Sequence, residues 1–222
     1  MQLKIHSEGW VYFVISCLIT IMIIPFYTIL GIFLCILSIY LFYFFRDPIR
    51  SIPNEDVVVS PADGLVTFIG ESKSPLESNL DKNNYTKISI FLSIFDVHVN
   101  RMPIDASILS INYIPGKFLN ATLDKSSKEN ERNIIYAKKN EDYFYIVQIA
   151  GLIARRIVCN LKNNQEVIKG ERIGIIKFGS RVDLYLPKNF NILISKGQRV
   201  IGGETIISNP NNTKNIKSST LK

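Results

Sequence analysis

The sequence predicts a mostly β fold, a sandwich or hybrid-barrel-like domain, behind an N-terminal hydrophobic membrane-anchoring helical region. Three observations predict it. Residues 10–45 contain no Asp, Glu, Lys or Arg, a run too long for the buried helix of a soluble core. From about residue 56 onward, short β-branched and aromatic runs alternate with turn residues and show little helical periodicity, as strands of a sandwich or barrel do. Finally, "QEVIKGERI" at 165–173 and "QRVIGGETI" at 198–206 agree at six of nine positions with a period of 33 residues. That echo predicts a repeated unit of strand, tight glycine turn and strand.

Taken in order, residues 1–50 form the membrane-associated helical part and its connector, and residues 51–222 the β-rich working domain. One membrane span needs about 20 residues, so the uncharged run is either one strongly tilted helix or two short ones bent at Pro25, and the hairpin is the expected form. Lys4 precedes the run, and Arg46 and Arg50 follow it. Basic residues at both ends place both ends, and the rest of the chain, on the cytoplasmic side of the cell membrane. No small-residue cleavage site follows the run, so it is not a signal peptide. After the connector "FFRDPIRSIPNED", strands are expected in "VVVSPADGLVTFIG", "YTKISIFLSIFDVHVN", "ASILSINYIP", "DYFYIVQIAG", "RRIVCNL", "ERIGIIKFG", "RVDLYLP" and "NILISKG", and a polar loop in "NATLDKSSKENERN". The repeated V-x-x-G-x-x-I turns resemble those of biotinyl/lipoyl-like hybrid barrels, a likeness of architecture and not of function.

Composition excludes several function classes. The net charge of +7 falls almost wholly outside residues 7–45, where Glu8 is the one charged side chain, and it favours an anionic membrane surface as partner. Nucleic acid is not expected, because zinc-finger spacing, an arginine-rich helix and RNA-binding aromatics are all missing. The chain has two histidines, His6 and His98, and three cysteines, two of them (Cys17 and Cys35) in the apolar run. Multi-histidine and cysteine-rich metal sites are thereby excluded, and no metal is expected. Nor does the sequence hold a glycine-rich phosphate loop. Any reaction must use few titratable groups or a cofactor the chain makes itself.

Three places could carry such chemistry. His98 is the one imidazole of the working domain. In an unbroken strand Ile88, Ile90, Leu92 and Ile94 would share a face that continues as Asp96, His98 and Asn100, so that His98 is either a base presented at the rim of the core or a satisfied structural histidine. In "SPADG", Asp63 either makes an Asx turn or orients His98. Gly179-Ser180, the one Gly-Ser pair in the chain, is either a turn or the site of an N-to-O acyl shift. In the latter the serine hydroxyl attacks its own preceding carbonyl, and glycine allows the dihedral angles that this needs.

Together, "FFRDP", "SPADG", "FLSIFDVHVNRMP", "PGKFLNA", "ENERN", "QIAGLIARRI" and "ERIGIIKFGSRVDLYLP" resemble the short form of the phosphatidylserine decarboxylases. The resemblance implies self-cleavage between Gly179 and Ser180, giving chains of 179 and 43 residues that stay together. It implies a covalent pyruvoyl group derived from Ser180, which forms a Schiff base with phosphatidylserine and releases carbon dioxide and phosphatidylethanolamine. His98 is then the proton carrier, Asp63 matches the family's aspartate, and Arg155 and Arg156 either steer the anionic lipid or form a solvated strand face. Long-form members carry a second histidine where this chain has Arg101. Two other readings compete: a non-enzymatic membrane adaptor, and a serine hydrolase built on Ser180, His98 and an aspartate, although G-x-S-x-G is missing. Whether copies of the chain form a homo-oligomer is left open by the sequence.

Overall fold

The computed structural model describes residues 3–76, 84–116, 129–151, 156–177, 180–210 and 219–221. The chain divides into two compact units, Met1–Ile49 and Arg50–Lys222.

In the first unit, strand β1 (Leu3–Ile5) pairs antiparallel with β2 (Arg46–Pro48), and between them run helices α1 (Ser7–Ile23) and α2 (Thr28–Phe44). His6 caps α1 by accepting the Glu8 N–H at its Nδ1. The helices part at residues 24–27, around Pro25, which cannot supply an interior helical N–H. They pack through small residues: Thr20 and Ser38 are buried, with their hydroxyls 3.4 Å apart, and Phe13 meets Phe42 at a ring separation of 5.4 Å. Each helix has 17 residues, about 26 Å at 1.5 Å per residue against a hydrocarbon core of about 30 Å. Among the described residues, no helix is long and apolar enough to cross a membrane.

The second unit is mostly β. Its main sheet has eight antiparallel strands in the order β12 (Glu166–Val167), β8 (Ala106–Ile114), β9 (Arg132–Lys139), β10 (Asp142–Ala150), β14 (Ser180–Pro187), β6 (Asn84–Leu92), β5 (Gly64–Lys73) and β15 (Arg199–Val200). The edge strands β12 and β15 have one partner each, so the sheet is open. A three-stranded sheet joins β11 (Arg156–Cys159), β13 (Arg172–Lys177) and β7 (Val99–Arg101). Two-stranded pairs link β4 (Val58–Val59) with β16 (Ile206–Ser208), and β3 (Ser51–Pro53) with β17 (Ser219–Leu221). The core lies on one face of the large sheet, where Ile88, Ile90, Ile135, Ile146, Val182 and Leu184 meet Ile173 and Ile176 of β13. Period-two alternation sorts the strands: Val182, Leu184 and Leu186 face this core, while Tyr185 joins Tyr85 and Tyr145 on the other side.

The echo seen in the sequence is an approximate two-fold axis. Reading inward from both edges, β12 matches β15, β8 matches β5, β9 matches β6, and β10 pairs with β14 at the centre. Val167 pairs with Ala106 as Val200 pairs with Gly64, and the bulges fall between Ile108 and Ser110 in one half and between Val66 and Phe68 in the other. The two turns end on Gly170 (φ +82) and Gly203 (φ +81), and a Cβ on either would lie within 2.8 Å of Ile52. Both positive φ and lack of room therefore require glycine there.

Three expectations are corrected. Residues 85–100 are not one strand: β6 ends at Leu92, a turn follows, and β7 belongs to the other sheet. Ile94 consequently leaves the core face and is exposed. "NILISKG" contributes a single bridge, Ile192 to Ser208, in place of a strand. The polar loop ends earlier than expected, since Arg132 and Asn133 already pair in β9; residues 120–128 of it, with Arg155, lie outside the described residues.

Candidate active site

Ser180 opens β14 in the middle of the large sheet, paired with Ala150 on one side and Leu92 on the other. The preceding strand, β13, ends at Lys177 in the small sheet. Phe178 and Gly179, between these two strands, lie outside the described residues. Ser180 shares the parity of Val182 and Leu184, so its side chain faces the core, and it is fully buried. Its Oγ has no hydrogen-bond partner among the described residues. A buried hydroxyl without a partner costs about 1–3 kcal/mol, which an ordinary turn serine, turned to water, does not incur.

His98 follows the turn after β6 and is also fully buried. Its Nδ1 lies 2.9 Å from the Asp96 carbonyl oxygen. A carbonyl only accepts, so in the neutral ring the proton sits on Nδ1 and the lone pair on Nε2, the form of a general base. The turn that sets this geometry is tied down by the Asp96 carboxylate: Oδ2 accepts from the Ser93 N–H at 2.8 Å and the Ser93 hydroxyl at 2.7 Å, and Oδ1 pairs with Arg199.

Two residues on, Asn100 enters a chain of buried carboxamides. Asn133 Nδ2 donates to Gln148 Oε1 at 3.0 Å, and Gln148 Nε2 donates to Asn100 Oδ1 at 2.9 Å. Gln148 pairs with Val182 in the same register that pairs Ala150 with Ser180, so this chain lies on the core face one side-chain step from Ser180.

The expected aspartate is engaged elsewhere. Asp63 Oδ2 accepts from Arg50 Nη2 at 2.7 Å and Oδ1 accepts from the Gly202 N–H at 2.7 Å. Burial raises its pKa above the ordinary carboxylate value, partly offset by Arg50 and the Gly202 N–H, while Asp96 adds to the rise. Arg101 takes no imidazole-like place: its guanidinium donates to the Gly170 carbonyl at 2.9 Å and its N–H to the Pro61 carbonyl at 2.9 Å, clamping the glycine turn to "SPADG". Arg156 is exposed on β11, a solvated strand face. A cavity of about 570 Å³ lies at the far end of β14, beside Pro187 and Tyr143, and includes none of these residues. No metal-binding cluster of His, Cys, Asp and Glu occurs among the described residues.

The sequence reading assigned no site role to Gln148 or Asn133, and Arg50 entered only as a basic residue flanking the apolar run. A signal was present for the first two: each is an amide at core parity in an apolar strand, Gln148 between Ile146 and Ala150 and Asn133 before Ile135 and Ala137. Arg50 carried none, since it lies in the connector, 13 residues before Asp63, and no periodic pattern links the two.

Residues 37–208 match the family model described as phosphatidylserine decarboxylase. The chain is 48% identical over 207 residues to a "Phosphatidylserine decarboxylase proenzyme" of Pelagibacter ubique, covering 92% of this chain and 96% of that relative. It is 49% identical over 208 residues to the protein of the same name from Ehrlichia chaffeensis, covering 92% and 91%. The Rickettsia prowazekii protein of that name is 48% identical over 206 residues, covering 92% and 89%.

Proposed function

The chain belongs to the phosphatidylserine decarboxylase family, and from that premise we propose that it converts phosphatidylserine to phosphatidylethanolamine and carbon dioxide at a pyruvoyl group made from Ser180. The observation that carries the reading is the buried Ser180 Oγ, without a partner among the described residues, at the start of a central strand. A group derived from this side chain fits the position: it needs no metal, it opens a central strand of the large sheet, and the buried amide of Gln148 lies on the same core face. Enzyme and decarboxylase follow from the family; the adaptor reading has no comparable support.

Self-cleavage uses the chain's own groups. Ser180 Oγ attacks the Gly179 carbonyl carbon, a C–O bond forms as the C–N bond breaks, and the hydroxyl proton passes by way of His98 Nε2 to the departing amine. Loss of the Cα proton then expels the Gly179 carboxylate from Cβ. Water hydrolyses the remaining dehydrated residue, and ammonia leaves. When formed, the pyruvoyl group supplies a ketone able to bind the substrate amine and take up the electron pair released with carbon dioxide. His98, its Nδ1 proton fixed by the Asp96 carbonyl, holds the proton that returns to the headgroup carbon. Asp63 and Arg50 act on the site by fixing the turn at Gly202.

The helical hairpin is the membrane anchor in this reading. Trp10, Ile29, Phe33 and Ile36 are exposed on the first unit, and apolar side chains in that number are stable in lipid rather than in water. The hairpin enters an anionic cell membrane from the cytoplasmic face without crossing it, and both ends return to that face. The substrate partner is the serine phospholipid of that surface; nucleic acid is not a partner.

Intact mass under denaturing conditions tests the reading. An active preparation should give two chains, the smaller starting at position 180 and lacking a free amine, and Ser180→Ala should give one inactive chain. A single uncut chain that still releases carbon dioxide from serine-labelled lipid overturns it.

A further inference from the structure

The carboxamide chain on the core face has a direction. Asn133 donates through Nδ2 to Gln148, and Gln148 donates through Nε2 to Asn100 Oδ1. Each amide in turn fixes the next. The result is that Asn100, fully buried, is left with Nδ2 shut off from solvent and without an acceptor among the described residues. A buried amide donor without an acceptor is as costly as the buried hydroxyl of Ser180. Two such groups, one donor and one nucleophile, lie on one core face: Gln148 holds Asn100, and Gln148 is one register step from the Ala150 partner of Ser180.

We propose that Asn100 Nδ2 donates to the oxygen that becomes negative when Ser180 Oγ attacks the carbonyl before it, and that Gln148 and Asn133 are positioning residues that keep this donor facing the site. The proposal rests on self-cleavage at position 180. In the step concerned, the Oγ–C bond forms, the carbonyl π pair moves onto oxygen, and the Oγ proton leaves to the base. A neutral, preorganised donor lowers the energy of that oxyanion without titrating, and removing one such donor costs about 10²–10³ in rate.

The experiment follows appearance of the small chain from freshly synthesised full-length protein, by intact mass, across pH. Asn100→Leu, neutral and of similar size, should slow self-cleavage about 100-fold while the midpoint of the pH–rate profile stays at that of the parent chain. Gln148→Met should slow it about 10-fold, because Asn100 keeps its donor and loses its direction. Self-cleavage of folded Asn100→Leu at the parent rate overturns the proposal. So does a displaced pH midpoint, which would mean that Asn100 acts on the base. If Asn100→Leu does not fold, Gln148→Met decides, and a parent rate there overturns the positioning role and with it the proposal. Failure of the parent chain to cut itself is a different outcome, which refutes the reading at Ser180 itself.

Discussion

Asp63 and Asp105 hold equivalent places in the two halves of the large sheet: Asp63 Oδ1 accepts the Gly202 N–H at 2.7 Å and Asp105 Oδ1 accepts the Lys169 N–H at 2.6 Å. Each precedes its strand by the same step, in "SPADG" and in "MPIDA", and each ties down the residue before a left-handed glycine, Gly203 or Gly170. The shared duty is structural. What sets Asp63 apart is Arg50, whose guanidinium completes a pair that is largely buried on both sides.

That asymmetry predicts unequal costs. Asp105→Ala loses one turn hydrogen bond, about 1 kcal/mol. Asp63→Ala loses the same bond and also strands the Arg50 guanidinium, for a total of about 3–4 kcal/mol. Urea unfolding of Ser180→Ala precursors, which remain one chain, reads the difference; equal midpoint losses would mean that Arg50 finds another partner.

How much of this was legible in the sequence depended on whether the information was local. The echo at 165–173 and 198–206 located both glycine turns, because positive φ leaves a residue-type signature. It did not show that "SPADG" and "MPIDA" are also mates, since a cap needs only the aspartate and the proline and leaves the other positions free to drift. The break after Leu92 was missed because Ser93, Asp96 and Arg199 close that turn, and Arg199 comes from the other end of the chain. Ser180 stood out as one glycine–serine pair, yet its burial, the property that separates it from a turn, comes from the strands on either side. Asn133, Gln148 and Asn100 come from three strands, and their contact is a matter of register alone.

The turn before His98 predicts a catalytic effect at a residue that need not touch substrate. Asp96 holds Ser93 and Arg199 through its side chain, while its carbonyl fixes His98 Nδ1. Arg199→Ala should therefore slow self-cleavage about 10-fold with a small change in melting temperature, whereas His98→Gln, which removes the proposed base, should slow it by about 10²–10⁴. Time courses of the small chain check both, and an Arg199→Ala rate equal to that of the parent would show that the turn keeps its shape without the ion pair.

Asp63 also predicts a pH dependence of stability. Burial raises its carboxyl above the usual value by more than Arg50 and the Gly202 N–H lower it. The folded state thus binds this proton more readily than the unfolded chain, so the contribution of the group is full below about pH 4 and is lost as pH rises through the folded-state pKa. Asp63→Asn removes that loss. Its urea midpoint, whatever its offset at pH 4, should rise relative to that of Ser180→Ala precursor with native Asp63 as pH goes from 4 to 7, measured in the same Ser180→Ala background; parallel curves would remove Asp63 as the source.

The hairpin yields the last prediction. Ile29 is 87% exposed and Phe33 63%, near the start of α2 and next to the turn at Pro25, the end of the hairpin farthest along the chain from Lys4 and Arg46. If this end sits in the hydrocarbon, a lysine there must lose its hydration or drag water inward, at a cost of about 2.5–3.5 kcal/mol per charge at the centre of a span. Lysine side chains extend toward the interface and recover part of this, so Ile29→Lys with Phe33→Lys should cost about 3 kcal/mol together, a drop of about 100-fold in partitioning. Flotation of the full chain with vesicles containing phosphatidylserine measures it, and self-cleavage at the parent rate shows that the β unit is folded. Added salt separates the two forces: it weakens attraction of the basic residues to anionic lipid and leaves the apolar share in place. Unchanged flotation of the double variant would place the hairpin outside the bilayer.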